Sequence, residues 1–286
     1  MKNNTLNCDR NPKSHLTRVI AITGGKGGVG KTNISINLSI ALSKLGQRVM
    51  LLDADLGLAN VDVLLGIKAK RTIEDIYSNG YTLNDILLDG PGNIKIIPSS
   101  SGSQFMANLS SSHHGGLIRA FSDIDDEVDF LIIDTAAGIS PSVINFLTAS
   151  QEILLVVCDE PTSITDSYAL MKVLNRDCNI SSFRIIGNKV FNDLQGKSIH
   201  RRLCSVADRF LDINISHEGD IPYDKEMIDA IKKQKPVMDV SPGSISSKAF
   251  KKLAKKIIAR PQKSHPNGGL EFFIERLISR DQYLQR

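Results

Sequence analysis

Five nearly continuous apolar runs mark the chain: RVIAIT at 18–23, RVMLLDAD at 48–55, DFLIIDT at 129–135, EILLVVCDE at 152–160 and FRIIGNKV at 183–190. They do not alternate apolar with polar positions. A strand covered on both faces has no solvent side to keep polar, so such runs predict strands of a parallel sheet. NIKIIPSS at 93–100 reads as a sixth strand and INISHEGDIP at 213–222 as a weaker seventh. Most of these runs end in Gly, Asp, Asn or Pro, at the carboxyl ends where open α/β sheets hold ligands.

Between the runs the apolar period lengthens. Residues 32–46 put Ile36, Ile40 and Leu45 among small side chains and stop at Gly46, which predicts a helix. Residues 162–177 offer a Thr or Ser N-cap, then Ile164, Tyr168, Met171 and Leu174. Strand–helix alternation with right-handed crossovers gives an α/β fold, a doubly wound, mostly parallel sheet flanked by helices. One such domain is expected over 17–260. The polar residues 1–16 read as a flexible arm, and 261–286 as a linker followed by a C-terminal amphipathic helix.

In that last segment Leu270, Phe273, Ile274, Leu277 and Ile278 fall at i, i+3, i+4, i+7 and i+8, one apolar stripe. Such a stripe can lie in a bilayer surface or pack on the domain, and it can do each in turn. A basic helix over 247–260 turns Phe250, Leu253, Ile257 and Ile258 inward and five lysines (248, 251, 252, 255 and 256) outward. The Ser-rich stretch 99–116 reads as a surface loop in which His113 and His114 are solvated.

Composition then removes several classes. The chain has 286 residues and is 41% hydrophobic, enough for a sizeable core, whereas 5% aromatics and no Trp argue against an aromatic binding surface. A net charge of +4 is too mild to announce a nucleic-acid binder. Cysteines at 8, 158, 178 and 204 have no C-x-x-C spacing, which removes the usual zinc, iron–sulfur and dithiol readings. With a polar N-terminus lacking an apolar leader, they point to a reducing cytosol. No stretch approaches the roughly 18 apolar residues of a membrane span, so any membrane contact is expected to be peripheral.

The candidate chemistry begins at GGKGGVGKT, 24–32. Gly25, Gly30, Lys31 and Thr32 fit the phosphate-binding pattern G-x4-G-K-[ST], after a predicted strand and at the start of a predicted helix. Here Gly25, Lys26, Gly27, Gly28, Val29, Gly30, Lys31, Thr32 and Asn33 would line a triphosphate. Backbone N–H groups would turn to its oxygens, Lys31 would neutralise it and the Thr32 hydroxyl would ligate Mg²⁺. LIIDTAAG (131–138) delivers Asp134, a Walker B-type carboxylate for the same ion, and Gly138, a hinge or backbone donor beside the γ-phosphate. LLDADLGLAN (51–60) places Asp53 and Asp55 at a strand end, with Asp55 the candidate to orient the attacking water and Asp53 either near the metal or fixing the loop.

The second lysine, Lys26, has no task in a one-nucleotide loop. KGGVGKT with that extra lysine resembles the deviant Walker A motif of the MinD/ParA group of ATPases, and the resemblance extends over 17 to about 260. It implies slow, regulatory ATP hydrolysis with ATP and Mg²⁺, and an ATP-dependent homodimer in which Lys26 reaches the partner's nucleotide. It also implies that Asn188 and Pro222 read adenine, with Asp224 assisting.

DADLGLANVDVLLG and DTAAGI look like MinD and its flagellar relatives, and 156–177 and 268–278 look most like the flagellar branch of the group. That implies a regulator of flagellar number or placement, on the inner face of the cell membrane. Its partners would be a flagellar master transcriptional regulator and the flagellar switch or a GTPase of the FlhF type. Residues 1–17 lack the D-Q-A-x-x-L-R motif with which many such proteins stimulate that GTPase. Direct nucleic-acid binding is not expected. A division-site ATPase and a DNA-partition ATPase are the alternative readings.

Overall fold

The computed structural model describes residues 17–56, 58–103, 109–124, 127–261 and 271–273. The apolar runs become strands β1 (Arg18–Thr23), β2 (Val49–Ala54), β4 (Lys95–Ile97), β5 (Phe130–Thr135), β6 (Glu152–Cys158), β7 (Ser182–Val190) and β8 (Asn214–Pro222). A two-residue strand β3 (Leu88–Asp89), not anticipated from the sequence, closes one edge. The sheet order is β3-β4-β2-β5-β1-β6-β7-β8, parallel throughout except for the antiparallel β3–β4 pair. The seventh run, read as weak, forms a full nine-residue edge strand whose register to β7 shifts twice.

Helices cover both faces, which is why the central strands β1, β2, β5 and β6 are apolar over most of their length. One face packs α1 (Lys31–Ser43), α2 (Val61–Leu65), α9 (Lys225–Lys232), α10 (Val237–Val240) and α11 (Ile245–Ala259) over Ile20, Ile22, Leu51, Ile132 and Val156. The other packs α3 (Ile73–Asn79), α4 (Leu83–Ile86), α5 (Ser111–Ala120), α6 (Pro141–Thr148), α7 (Pro161–Cys178) and α8 (Asp193–Ala207) over Val19, Ala21, Leu52, Ile133 and Leu155. Neighbouring residues of β1 thus serve opposite cores, as the pleat requires.

Three expectations need correction. Helix α7 is not capped by Thr or Ser: its N-cap is Glu160, with no side-chain cap bond, and Pro161 begins the helix, where its missing N–H costs nothing. The Ser-rich stretch is not wholly a loop, because Ser110 accepts from His113 N and starts α5. His114 is consequently buried rather than solvated. Its ring bonds to Ser110 O at 3.0 Å and Ser142 Oγ at 2.9 Å and stands edge-on to Phe146, and burial lowers its pKa. The low-propensity His–His–Gly–Gly run hid this helix, which packing on α6 stabilises instead.

The predicted outward lysines of α11 are outward, above an inward face of Phe250, Leu253, Ala254 and Ile257. Phe272 and Phe273 are buried in the second core, edge-on to Phe121, with Phe272 also stacked on Phe146. Of the tail stripe, Leu270, Ile274, Leu277 and Ile278 lie outside the described residues, as do the arm 1–16 and most of the linker.

Candidate functional site

At the carboxyl end of β1 the chain turns through Gly24–Gly30 and enters α1 at Lys31. Gly28 and Gly30 stand at φ +76° and +97°, conformations that an L side chain would strain. Gly25 is glycine for a different reason: a Cβ there would lie 2.2 Å from the backbone of Asp166 in α7. A Cβ on Gly27 or Gly28 would meet nothing within 4 Å, so the outer face of the loop is open. Helix α1 has no side-chain cap and no acid in its first turn, which leaves its N-terminal N–H groups and their partial positive charge for an anion. Asn33 sits in that first turn, its carbonyl accepting from Asn37 at 2.8 Å.

The loop is gripped from beneath. Asn188 Nδ2 donates to Val29 O at 2.6 Å, Cys158 Sγ lies 3.7 Å from the same carbonyl, and Lys189 Nζ donates to Gly28 O at 3.2 Å. Gly138 N donates to Gly24 O at 3.2 Å, tying the loop after β5 to the loop after β1. Cys158 and Lys189 escaped the sequence reading. Their signal was positional, since Cys158 ends β6 and Lys189 lies at the carboxyl end of β7, on the same side of the sheet as the phosphate loop.

Asp53 and Asp134 are direct neighbours across β2 and β5, each about 1% exposed. Burial, and then the charge of Asp134, push Asp53 up to about 8; burial pushes Asp134 up to about 6 against hydrogen bonds from Thr32 and Ser35. The Ser35 bond to Asp134 is 2.8 Å. Ser35 also went unread in the sequence, although it lies one turn beyond Lys31 on the same helix. Asp53 accepts from Asp55 N at 3.2 Å and, through its other oxygen, from Asn60 N and Val61 N at 3.0 and 3.1 Å. Of its two expected roles, these bonds serve the fixing of the loop. Asp55 is half-buried and accepts from Leu58 N at 3.2 Å; burial raises its pKa, against Leu58 N–H and the charge of Lys31. Burial lowers the pKa of Lys31, against Asp134 and Asp55.

This donor set fits a hard divalent cation. Thr32 and Asp134 could offer oxygen ligands, and a cation would favour the ionised forms that burial disfavours in both buried carboxyls. Among the described residues, no group of three or more His, Cys, Asp or Glu could hold a metal alone, so phosphate and water oxygens would have to complete the shell.

The two lysines of the loop diverge. Lys31 stays within the acid cluster, whereas Lys26 Nζ extends over the surface to Glu160 Oε2 at 2.7 Å and Thr162 Oγ1 at 2.9 Å. The adenine candidates also diverge. Asn188 is buried beneath the loop, next to the missing Cβ of Gly30; Pro222 ends β8 opposite Val190. Asp224 serves the fold: one oxygen caps α9 at Glu226 N and the other accepts from Ser246 N, each at 3.0 Å. Burial would raise its pKa, but hydrogen bonds led by Ser246 hold it below the usual carboxylate range.

A family model described as an AAA domain matches residues 17–181. Antiactivator FleN of Pseudomonas aeruginosa is 54% identical over 264 residues, covering 92% of this chain and 94% of that protein. Flagellum site-determining protein YlxH of Helicobacter pylori is 30% identical, covering 94% of each. In fold, the chain is similar to the septum site-determining protein MinD from Pyrococcus horikoshii, solved in complex with Mg-ADP, at a TM-score of 0.71 and 24% identity over 85% of this chain and 97% of that one. Among the described residues no helix is long and apolar enough to cross a membrane.

Proposed function

The chain belongs to the MinD/ParA-type ATPases, on the FleN-like branch, and from that premise we propose that it is an ATP-driven dimerising switch that limits the number or placement of flagella. The observation that carries this reading is the divergence of the two lysines. Lys31 is committed to its own phosphate cradle, while Lys26 lies on the surface, held by Glu160 and Thr162 and available to a second subunit.

In this reading ATP binds over Gly25–Asn33, with adenine near Asn188 and Pro222. Mg²⁺, when bound through Thr32 and Asp134, neutralises phosphate charge. Asp53 holds the loop that carries Asp55, and Asp55 orients the attacking water. Lys26 leaves Glu160 for the partner's nucleotide, adding a cation in trans of the kind worth about 10³–10⁵ in rate. Hydrolysis withdraws that attraction and resets the monomer, so turnover acts as a timer.

The dimer engages a flagellar transcriptional activator, in line with the antiactivator relative, and a flagellar switch component or FlhF-type GTPase. The apolar tail stripe engages the membrane when it leaves the domain. Cutting the chain before Gly268 is a poor test of the tail, because it would also remove Phe272 and Phe273 from the core. Leu277→Ser with Ile278→Ser is the cleaner variant, and it should lower sedimentation with vesicles.

The decisive experiment is sedimentation equilibrium with Mg²⁺ and a non-hydrolysable ATP analogue. The parent chain should dimerise. Lys26→Ala should bind the analogue and stay monomeric, and a Lys26→Ala dimer of parental affinity would refute the trans role.

A further inference from the structure

Charge is unevenly spread along this chain. Residues 225–260 hold ten Lys and Arg against three Asp and Glu, a net +7, whereas the whole chain is +4, so the other 250 residues sum to −3. Helix α11 concentrates the excess, with five lysines and no acid over Ile245–Ala259. Phe250, Leu253, Ala254 and Ile257 fix its inner face on α1 and β8. At about 100° per residue, Lys248, Lys252 and Lys255 then project straight away from the domain. All three are exposed, and none forms an ion pair among the described residues. The two lysines on the flanks are used locally: Lys251 donates to Pro242 O at 3.0 Å, and Lys256 to His217 O and Glu218 O at 2.9 and 2.6 Å. The far end is pinned by Arg260, which pairs with Glu152 and Glu218 at 2.9 Å each. A packed helix of 15 residues thus presents a row of ammonium groups about 10 Å long.

We propose that the outer face of α11 is an electrostatic docking strip for an anionic bilayer surface. The inference rests on the membrane reading above and supplies its second component. Binding of an amphipathic segment to a bilayer surface scales with its buried apolar area plus electrostatic attraction to anionic lipids, and a basic patch supplies the second term. The side chains of the strip favour a lipid surface over a nucleic acid. It offers ammonium groups, with the exposed Ile245 at its start and Ala259 at its end, and no Arg, Asn or Gln to form bidentate bonds with phosphates or base edges. Point charges on flexible stems suit mobile headgroups. Because α11 is packed whether or not the tail is docked, the strip makes the first contact and shortens the search of the tail for the membrane.

The test uses the full chain and phosphatidylcholine vesicles with and without phosphatidylglycerol, at low and high salt. The variant is Lys248→Gln, Lys252→Gln, Lys255→Gln, with ATP-analogue binding at parental affinity as the folding control. Its partition onto the anionic vesicles at low salt should fall about a hundredfold, each lysine near an anionic leaflet being worth about fivefold. Partition onto neutral vesicles should not change. Leu277→Ser with Ile278→Ser should lower both, so failure of the tail reading and failure of the strip are told apart. Unchanged partition of the triple variant onto anionic vesicles overturns the proposal. Loss of duplex-DNA binding with vesicle partition intact overturns it in favour of a nucleic acid.

Discussion

At the amino ends of β1, β6 and β7, the side chains of Arg18, Glu152 and Arg184 meet Glu218 of β8 and Arg260 beyond α11; at the carboxyl ends of β2 and β5, Asp53 lies beside Asp134. Both groups are buried charge in one sheet. In the first, opposite signs interleave: Glu152 pairs with all three arginines and Glu218 with two. Burial would raise the Glu152 pKa, but the Arg18 hydrogen bond and the three guanidinium charges hold it below the usual carboxylate range. In the second, like charges adjoin and the pKa values of both acids rise. The amino-end cluster is largely settled within the fold. The carboxyl-end pair holds a proton more tightly than free carboxyls do and would release it to an added cation, which is how a site can be told from a staple.

Three experiments would break or sharpen that contrast. The largest effect is expected at Lys31. Lys31→Ala, which removes the sole cation inside the acid cluster among the described residues, should cost at least a thousandfold in ATP affinity by calorimetry, ~4 kcal/mol; tight binding would sink the assignment of the loop. Next, Glu152→Ala leaves the buried Arg18 without a carboxylate partner and Arg184 and Arg260 with Glu218 alone, and should lower stability in urea by about 3–5 kcal/mol, while ATP affinity per folded molecule stays unchanged.

The smallest effect is a difference of sign with pH. Asp134 has a folded pKa raised above its unfolded value, so the unfolded chain gives up its proton first. Stability of the ligand-free protein should therefore fall as pH rises from about 4 to about 6, by on the order of 2 kcal/mol for this group. Asp134→Asn should reduce that slope and leave the fall toward pH about 8 that the raised pKa of Asp53 contributes. Glu152 has the reverse sign: its contribution is present above the ordinary Glu value and is lost as pH falls through its lowered folded value. If both acids titrated in the same direction in thermal melts, the contrast would fail.

Much of this was legible in the sequence, for physical reasons. A strand buried on both faces must be apolar throughout, so β1, β2, β5, β6 and β7 announced themselves. Two-residue β3 has no room for a pattern. Glycines forced by φ or by contact with α7 made the phosphate loop readable, because no other residue fits. The supports of the loop were not readable. Asn188, Cys158 and Lys189 act through contacts more than a hundred residues distant in the chain, and no local period encodes them. His114 and Phe272 were obscured in the same way. Each looks like a surface or tail residue until α6 is brought against it.

The bond from Gly138 N to Gly24 O has a mechanical corollary. Gly138 precedes α6 by three residues, and α6 spans eight residues, about 12 Å, with Phe146 near its far end against Phe272. The phosphate loop and the seat of Phe272 are thus joined through one backbone bond and one short helix, so displacing Gly24 would have to break that bond or carry the amino end of α6 with it.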